Sequence, residues 1–412
     1  MKSRVLVVMP GHLSTTPRLL KVADAASEAG YQVRVVSASF LDWAVAADEM
    51  TAASRTWQWQ RVEFRRGVAT ATYLTTGARR HVARTILRMA DPAAAPWWAV
   101  TRALSRAHDE LVSRALTEPF DLVVGGSVGG LGVIPEIAAR AKVPFGLDLE
   151  DLHTGELDAR DGGLQHDAAR RVLREVLPKA AFVTTSTSLM ADAYRDGFGV
   201  APSVLHNVFS LPDYQVLDPV EGGALRLYWF SQTIGPGRGL EDAITAIGLA
   251  NIDAVLTLRG RSDDTYVAGL HRLAAQAAPR ARLAVEPPAA PDSMLALCAQ
   301  HDIGLALETQ AIPNHRVCLA NKIFTYLPMG LPVVVSDTPA HRWISGQLGD
   351  AAFLYPSGQV DVFAEHLRRF ASDRNRLLGA RRAARQAAVK RWRWDHREER
   401  DVLLALMTRA LA

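Results

Sequence analysis

Short, nearly continuous apolar runs, each followed by a stretch with helical spacing, recur along almost the whole chain, and they restrict the fold more than any other feature. Val5–Met9 reads as a fully apolar strand, Arg18–Ala29 as a helix ending at Gly30, and Val33–Ser37 as the next strand. The alternation returns at Asp121–Val124, Leu131–Arg140, Phe145–Asp148, Ala181–Thr185 and Ser188–Arg195. A strand wetted on one face alternates apolar and polar residues, whereas a continuously apolar one is buried on both faces. Strands of this kind separated by helices predict an α/β fold with a parallel sheet covered on each side.

The series occurs twice. Asn207–Gly223 carries two prolines, two glycines and several acids with little periodicity, and reads as a linker. Beyond it come Leu225–Phe230, Leu240–Leu249, Ala254–Arg259, Tyr266–Ala275, Arg282–Val285, Ser293–Ala299, Ile303–Leu307, Lys322–Leu327 and Pro332–Val335. The reading is two Rossmann-like, doubly wound parallel-sheet domains facing a cleft, residues 1–206 and 224–391. A C-terminal helix of about 392–412 is expected to pack back on the first domain. In that tail Glu399/Arg400 and Asp395/Glu398 read as a solvated face, and Val402, Leu403, Leu406 and Met407 as an apolar one. A length of 412 residues suits two domains, each able to bury its own core.

Composition removes several classes. Hydrophobic residues make 49% and charged residues 22% of the chain, far from the signature of disorder. Lys+Arg and Asp+Glu number 47 and 43, too balanced for wholesale nucleic-acid binding. Cys298 and Cys318 stand in no metal-ligand spacing and are expected as reduced thiols. The apolar run at the start stops at Pro10-Gly11, too early for a signal-peptide core, and nothing approaches a membrane span. The protein is therefore expected in the cytoplasm.

In doubly wound sheets ligands bind beyond the carboxyl ends of the strands. The loop Pro10–Arg18 offers Gly11, His12 and Arg18 as an acceptor or phosphate loop, with N-capping by Ser14, Thr15 or Thr16 as the plainer reading. The strand Phe145–Asp148 runs into Asp148-Leu149-Glu150-Asp151-Leu152-His153-Thr154-Gly155-Glu156. Four acids and a histidine there would bind sugar hydroxyls, take an acceptor's proton, hold a metal, or simply cap a helix. In the second half Ser231, Gln232, Gly235, Gly237, Arg238 and Gly239 read as a diphosphate cradle without a Walker ending. Lys322, next to Asn321 at a helix start, opposes the helix dipole, which makes most sense if it faces a bound anion, with a solvated lysine as the plainer reading.

The order of these segments resembles glycosyltransferase family 4, of GT-B architecture. The resemblance rests on Tyr228–Glu241, on Asp302–Glu308 and on Asn321–Pro332 with Val333 and Val334. It is joined by Pro17-Arg18, Gly30-Tyr31-Gln32-Val33, the acidic Asp148–Glu156 stretch and Trp394-Asp395-His396. It covers nearly the whole chain outside about residues 40–118. It implies a retaining, metal-independent transfer of a sugar from a nucleotide-diphosphate sugar to an acceptor hydroxyl, with no other cofactor. Gln232, Gly235, Arg238, Gly239, Asn321 and Lys322 would hold the diphosphate, Arg259 and Thr325 the nucleoside. His153, Asp151 and Glu308 would serve catalysis, without a metal site. The acceptor would be a carbohydrate, a lipid-linked sugar or a small molecule. The sequence departs from the family pattern in two places. Gln232 and Arg238 stand where an Arg and a Lys are usual, and Val317 and Thr325 replace a pair of donor-binding glutamates.

Two other readings stay open. One is a nucleotide-sugar epimerase of the same architecture, which needs no acceptor; the other is a non-catalytic binder of nucleotide-sugars. A dehydrogenase is disfavoured by the single glycine of the first loop, and a Ser/His/Asp hydrolase by the absence of a GxSxG elbow. The segment 57–98 interleaves Trp57, Trp59, Trp97 and Trp98 with Arg79, Arg80, Arg84 and Arg88. It reads either as a peripheral membrane surface or as a solvated face over a tryptophan-filled core.

Overall fold

The computed structural model describes residues 3–91, 93–157, 159–216 and 222–412, with backbone alone for 159–162. The chain divides into two compact units. The first is Met1–His206 with Ile312–Asn314 and Arg397–Ala412; the second is Asn207–Ala311 with His315–His396. The expected linker falls partly on 217–221, outside the described residues.

The first unit carries strands β1 (Arg4–Met9), β2 (Gln32–Ser39), β3 (Gln58–Glu63), β4 (Leu122–Gly126), β5 (Phe145–Leu149), β6 (Phe182–Thr185) and β7 (Ser203–Val204). They form one parallel sheet in the order β3-β2-β1-β4-β5-β6-β7. The Val5–Met9 run is at most 1% exposed, as a central strand covered on both faces demands. The strand order reverses between β1 and β4, so the loops leaving those two strands flank a crevice.

The second unit carries β8 (Leu225–Ile234), β9 (Ala254–Ser262), β10 (Ala281–Glu286), β11 (Ile303–Ala306), β12 (Val333–Ser336) and β13 (Ala352–Tyr355). Their order is β10-β9-β8-β11-β12-β13, again all parallel, with the reversal between β8 and β11. Alternate residues of β8 feed opposite cores. Leu225, Leu227 and Trp229 pack under helices Leu240–Ala250, Asp264–Ala277 and Val360–Ser372. Tyr228 joins the other core, with helices Asn321–Tyr326, Pro339–Leu348 and Arg374–Lys390.

The tail departs from its expected pattern. Trp392 is 5% exposed and packs in the second unit near Phe324 and Trp343. Only from Arg397 does the chain count with the first unit. Glu399, read from sequence as solvated, is fully buried there. Its carboxylate accepts from the His206 backbone N–H at 2.6 Å and lies 2.9 Å from His206 Nδ1. Arg400 pairs with Glu28 at 3.1 Å, and the final helix, Val402–Leu411, buries Leu403 and Met407. Both cysteines are free, and no helix of the described residues is long and apolar enough to cross a membrane.

Candidate functional site

The loop after β1 is closed by its own side chains. His12 is fully buried, and its Nε2 accepts from the backbone N–H groups of Phe40 and Leu41, each at 2.9 Å. That fixes the proton on Nδ1, which donates to Asp48 at 2.5 Å. Asp48 also accepts from the Ser14 backbone and hydroxyl at 2.9 and 2.7 Å. Arg18 lies 6% exposed in a fork on Asp148, at 2.7 and 2.5 Å, and its third nitrogen reaches the Leu205 carbonyl at 2.6 Å. Burial opposes the guanidinium charge, but Asp148 more than compensates and raises its pKa. His12 and Arg18, read as ligands of an incoming phosphate, are thus already taken up, by Asp48 and by Asp148. Gly11 sits beside Thr15 Oγ1 and Thr16 Cγ2.

The acidic stretch after β5 is different. His153 is 1% exposed; Glu156 holds its Nδ1, while its Nε2 has no partner among the described residues. Burial works against protonation of this imidazole, but Glu156, Asp151 and Glu150 outweigh it and lift its pKa above 6.5. The Tyr194 hydroxyl braces the loop, accepting from the His153 N–H at 3.2 Å and donating to the Asp151 carbonyl at 2.7 Å. Asp151 accepts from the Asn314 amide at 2.7 Å. Glu150 is shifted well above the usual carboxylate range, by burial first and then by the charges of Asp151 and Asp148. Among the described residues no group of three or more His, Cys, Asp and Glu is placed to hold a metal ion.

In the second unit the expected cradle begins later than its sequence suggests. β8 runs on past Phe230, with an irregularity between Phe230 and Thr233, and β9 continues beside it to Ser262. Gln232 is therefore an exposed residue of a strand extension, and the turn proper is Gly235–Gly239. Gly239 has φ +68°, and a Cβ there would lie 2.6 Å from the Leu307 carbonyl oxygen and Cβ. Only glycine fits, and the fit presses the start of helix Leu240–Ala250 against the end of β11. Arg238 is half-buried.

At the end of β11, Glu308 is buried beside Lys322, whose ammonium also sits 5.5 Å from the centroid of the Trp229 ring. Lys322 thus has a carboxylate neighbour, which itself offsets the unfavourable helix-start position that sequence reasoning assigned to a bound anion. Burial acts to raise the Glu308 pKa, yet Lys322 and His341 pull it down to about 2. His341 donates from Nδ1 to the Ser336 carbonyl at 2.9 Å and turns Nε2 toward the second Glu308 oxygen, 3.6 Å away. A cavity of about 220 Å³ adjoins Glu308, lined further by Asp242, Thr309, Ser336, Tyr355 and Ser357. Helix Asn321–Tyr326 is pinned by Tyr326, whose ring lies where a side chain at Gly304 would be and whose hydroxyl donates to the Tyr228 carbonyl at 3.0 Å.

Two other expected contacts point elsewhere. Arg259 donates to the Tyr228 hydroxyl at 2.9 Å and to the Pro287 carbonyl at 2.8 Å. Thr325 is 2% exposed and donates to the Asn321 carbonyl at 3.3 Å; Asn321 itself is exposed. Sequence reasoning missed the junction Gly125-Gly126-Ser127-Val128-Gly129-Gly130, where β4 passes directly into helix Ser127–Ala141. A Cβ at Gly126 would meet the Asp148 carbonyl oxygen at 2.4 Å, and Ser127 holds φ 61°. The signal was the density of glycines at a strand end. His341 was missed because nothing in its local sequence sets it apart.

No family model matches the chain, and no curated protein matches it in sequence. Solved structures match over nearly its whole length. Anabaena HepE in complex with UDP and glucose has a TM-score of 0.66 at 15% identity, covering 99% of this chain and 99% of that one. A point mutant of S. aureus TarM, in complex with Fondaparinux, alpha-GlcNAc-glycerol and UDP, gives 0.65 at 7% identity over 100% of both chains. The N-terminal domain of Candida albicans trehalose-6-phosphate phosphatase gives 0.64 at 10% identity, over 99% of this chain and 97% of that one. Likeness at such identities is likeness of fold alone: two parallel-sheet α/β domains, a fold shared with solved GT-B glycosyltransferases.

Proposed function

We propose that the chain is a glycosyltransferase that moves a sugar from a nucleotide-diphosphate sugar to an acceptor hydroxyl. The observation that carries this is the switch-point crevice of the second unit. There a glycine that admits no side chain, the basic residues Arg238 and Lys322, and a buried ionised Glu308 gather at the ends of β8 and β11. Solved structures of the same fold bind UDP, which makes UDP-sugars the first donors to try. Retention of configuration and independence of a metal are part of the proposal, through the family resemblance, as is a place in glycan, glycolipid or glycoconjugate synthesis.

In this reading the acceptor oxygen bonds to the anomeric carbon as the bond from that carbon to the phosphate oxygen breaks. Arg238 and Lys322 stabilise the departing diphosphate. His153, held at Nδ1 by Glu156, has Nε2 left to accept the acceptor's proton. Asp151 is engaged by Asn314 and is the weaker candidate for that role. The partners in this reading are the donor and the acceptor.

The first test is calorimetric titration with UDP, GDP, ADP, CMP and dTDP, and with their sugars, in EDTA. Binding of one diphosphate is expected. Arg238→Ala is expected to weaken it about 10-fold or more, the usual yield of a charged hydrogen-bond donor. Unchanged affinity and transfer rate in that variant would sink the assignment. Thr325, whose hydroxyl stays within its own helix, favours a second reading, a binder without turnover. Nucleotide affinity with no transfer to any acceptor would support it.

A further inference from the structure

We infer that helix Thr70–Met89 is a docking surface for a membrane carrying anionic lipid headgroups. The inference stands on this helix alone and does not rest on the proposed transfer reaction.

The helix holds twenty residues and no acid. Thr76, Ala83 and Leu87 turn inward and bury. At 100° per residue the opposite face bears Leu74, Ala78, Val82 and Met89 in one stripe. Leu74 is 61%, Val82 50% and Met89 84% exposed. The threonines bordering the stripe add little free polarity, because Thr75 and Thr85 donate to the Ala71 and His81 carbonyls of the same helix, at 2.9 and 3.0 Å. Large aliphatic side chains set in a row toward water are what a helix lying in a lipid interface requires.

Along one edge of the stripe run His81, Arg84 and Arg88, with Arg80 next to them. Arg79, on the other side, is taken up by Asp109 and Glu110. No carboxylate pairs with Arg84 or Arg88 among the described residues. Arg80 shows the local excess of positive charge: its pKa is lowered, by burial first and then by Arg84 and Arg106. The nearest acid beyond the helix, Asp91, caps the following turn through the Ala93 N–H at 2.8 Å. Just after it comes helix Trp97–Leu104, packed against the same helix, with Trp97 39% and Trp98 42% exposed. Tryptophan at this kind of boundary suits the headgroup level of a bilayer.

A nucleic-acid partner would use the arginines but leave a bare aliphatic stripe without a purpose, and a protein partner would need an acidic rim around an apolar centre to match both. An anionic lipid surface uses both. The apolar side chains enter the acyl boundary while the arginines keep their charge at the headgroups.

The test is sedimentation of the full chain with vesicles of phosphatidylcholine alone and of phosphatidylcholine with 30% phosphatidylglycerol. Binding to the anionic vesicles is expected, weakened but not abolished by 0.5 M salt. Leu74→Ser/Val82→Ser/Met89→Ser and Arg84→Gln/Arg88→Gln are each expected to reduce it about 10-fold or more, with melting temperatures unchanged because the altered side chains are exposed. Nucleotide affinity should not move in either variant. No binding to anionic vesicles, binding indifferent to the stripe, or binding lost wholly to salt would overturn the inference; the last would favour a nucleic-acid or acidic protein partner.

Discussion

The loops that leave β1 and β8 occupy the same topological position in their units, yet they are built in opposite ways. After β1, His12 uses both ring nitrogens, Asp48 both oxygens and Arg18 its whole fork, all on groups of the same unit. After β8, the turn Gly235–Gly239 is shaped by backbone: positive φ at Gly237 and Gly239, and a close approach to Leu307. The first loop is a finished wall. The second leaves a half-buried arginine and a bare backbone beside the buried Lys322–Glu308 pair. One fold thus yields a loop filled by its own side chains and a loop shaped by backbone alone, according to whether side chains or glycines fill the switch point.

The comparison breaks first at Arg18. Arg18→Ala leaves Asp148 buried without its guanidinium fork, with the Thr184 hydroxyl at 2.7 Å as a neutral donor. Removing one partner of such a pair destabilises by about 3–5 kcal/mol. Urea denaturation should show that loss in the first unit, or failure to fold. A loss below about 1 kcal/mol, with nucleotide binding abolished, would mean that Arg18 serves a ligand after all.

Gly239→Ala probes the other loop. The added methyl meets Leu307 at 2.6 Å, in a backbone conformation that suits glycine. Strain of this kind costs about 1–3 kcal/mol. If the loop is the diphosphate cradle, nucleotide affinity should fall by more than the stability does, as the turn withdraws from β11. Titration and melting on one sample separate the two.

The same contrast explains what could be read from sequence. The apolar strands and the helices between them were legible because burial on both faces writes itself as continuous runs. β3 was not, because Gln58-Trp59-Gln60-Arg61-Val62-Glu63 is an edge strand that buries only Val62 fully and otherwise looks like a loop. β7, two residues long, carries too little pattern to see. Motif order pointed to Arg238, Gly239, Lys322 and Glu308, which lie beyond the ends of β8 and β11. It could not tell that Lys322 sits with Glu308, or that Arg18 is bound to Asp148, which lies 130 positions away. Pairing of charges is a tertiary fact. A lone basic residue after a strand looks the same whether it awaits a ligand or already has a carboxylate. His341, whose Nε2 faces Glu308, was hidden for the same reason.

The smallest and sharpest test uses two buried glutamates shifted in opposite directions. Glu150, in the first unit, is raised above the carboxylate range by burial and by neighbouring acids. Its folded state therefore binds more protons than the unfolded chain from about pH 4.3 upward, and stability falls as pH rises toward the raised value. Glu308, in the second unit, is lowered to about 2. Its stabilisation is complete above about pH 4.3 and is lost only as pH falls toward 2. Between pH 5 and 8, then, Glu150 contributes a slope and Glu308 contributes none. Glu150→Gln should flatten the pH dependence of unfolding free energy in that range, by at most about 1.4 kcal/mol per pH unit. Glu308→Gln should lower the whole curve without changing its slope. Denaturant unfolding at pH 5, 6.5 and 8 distinguishes them. A slope that survives Glu150→Gln would place its origin elsewhere, with His153, whose raised pKa gives a loss of stability of the same sign from about pH 6.5 upward.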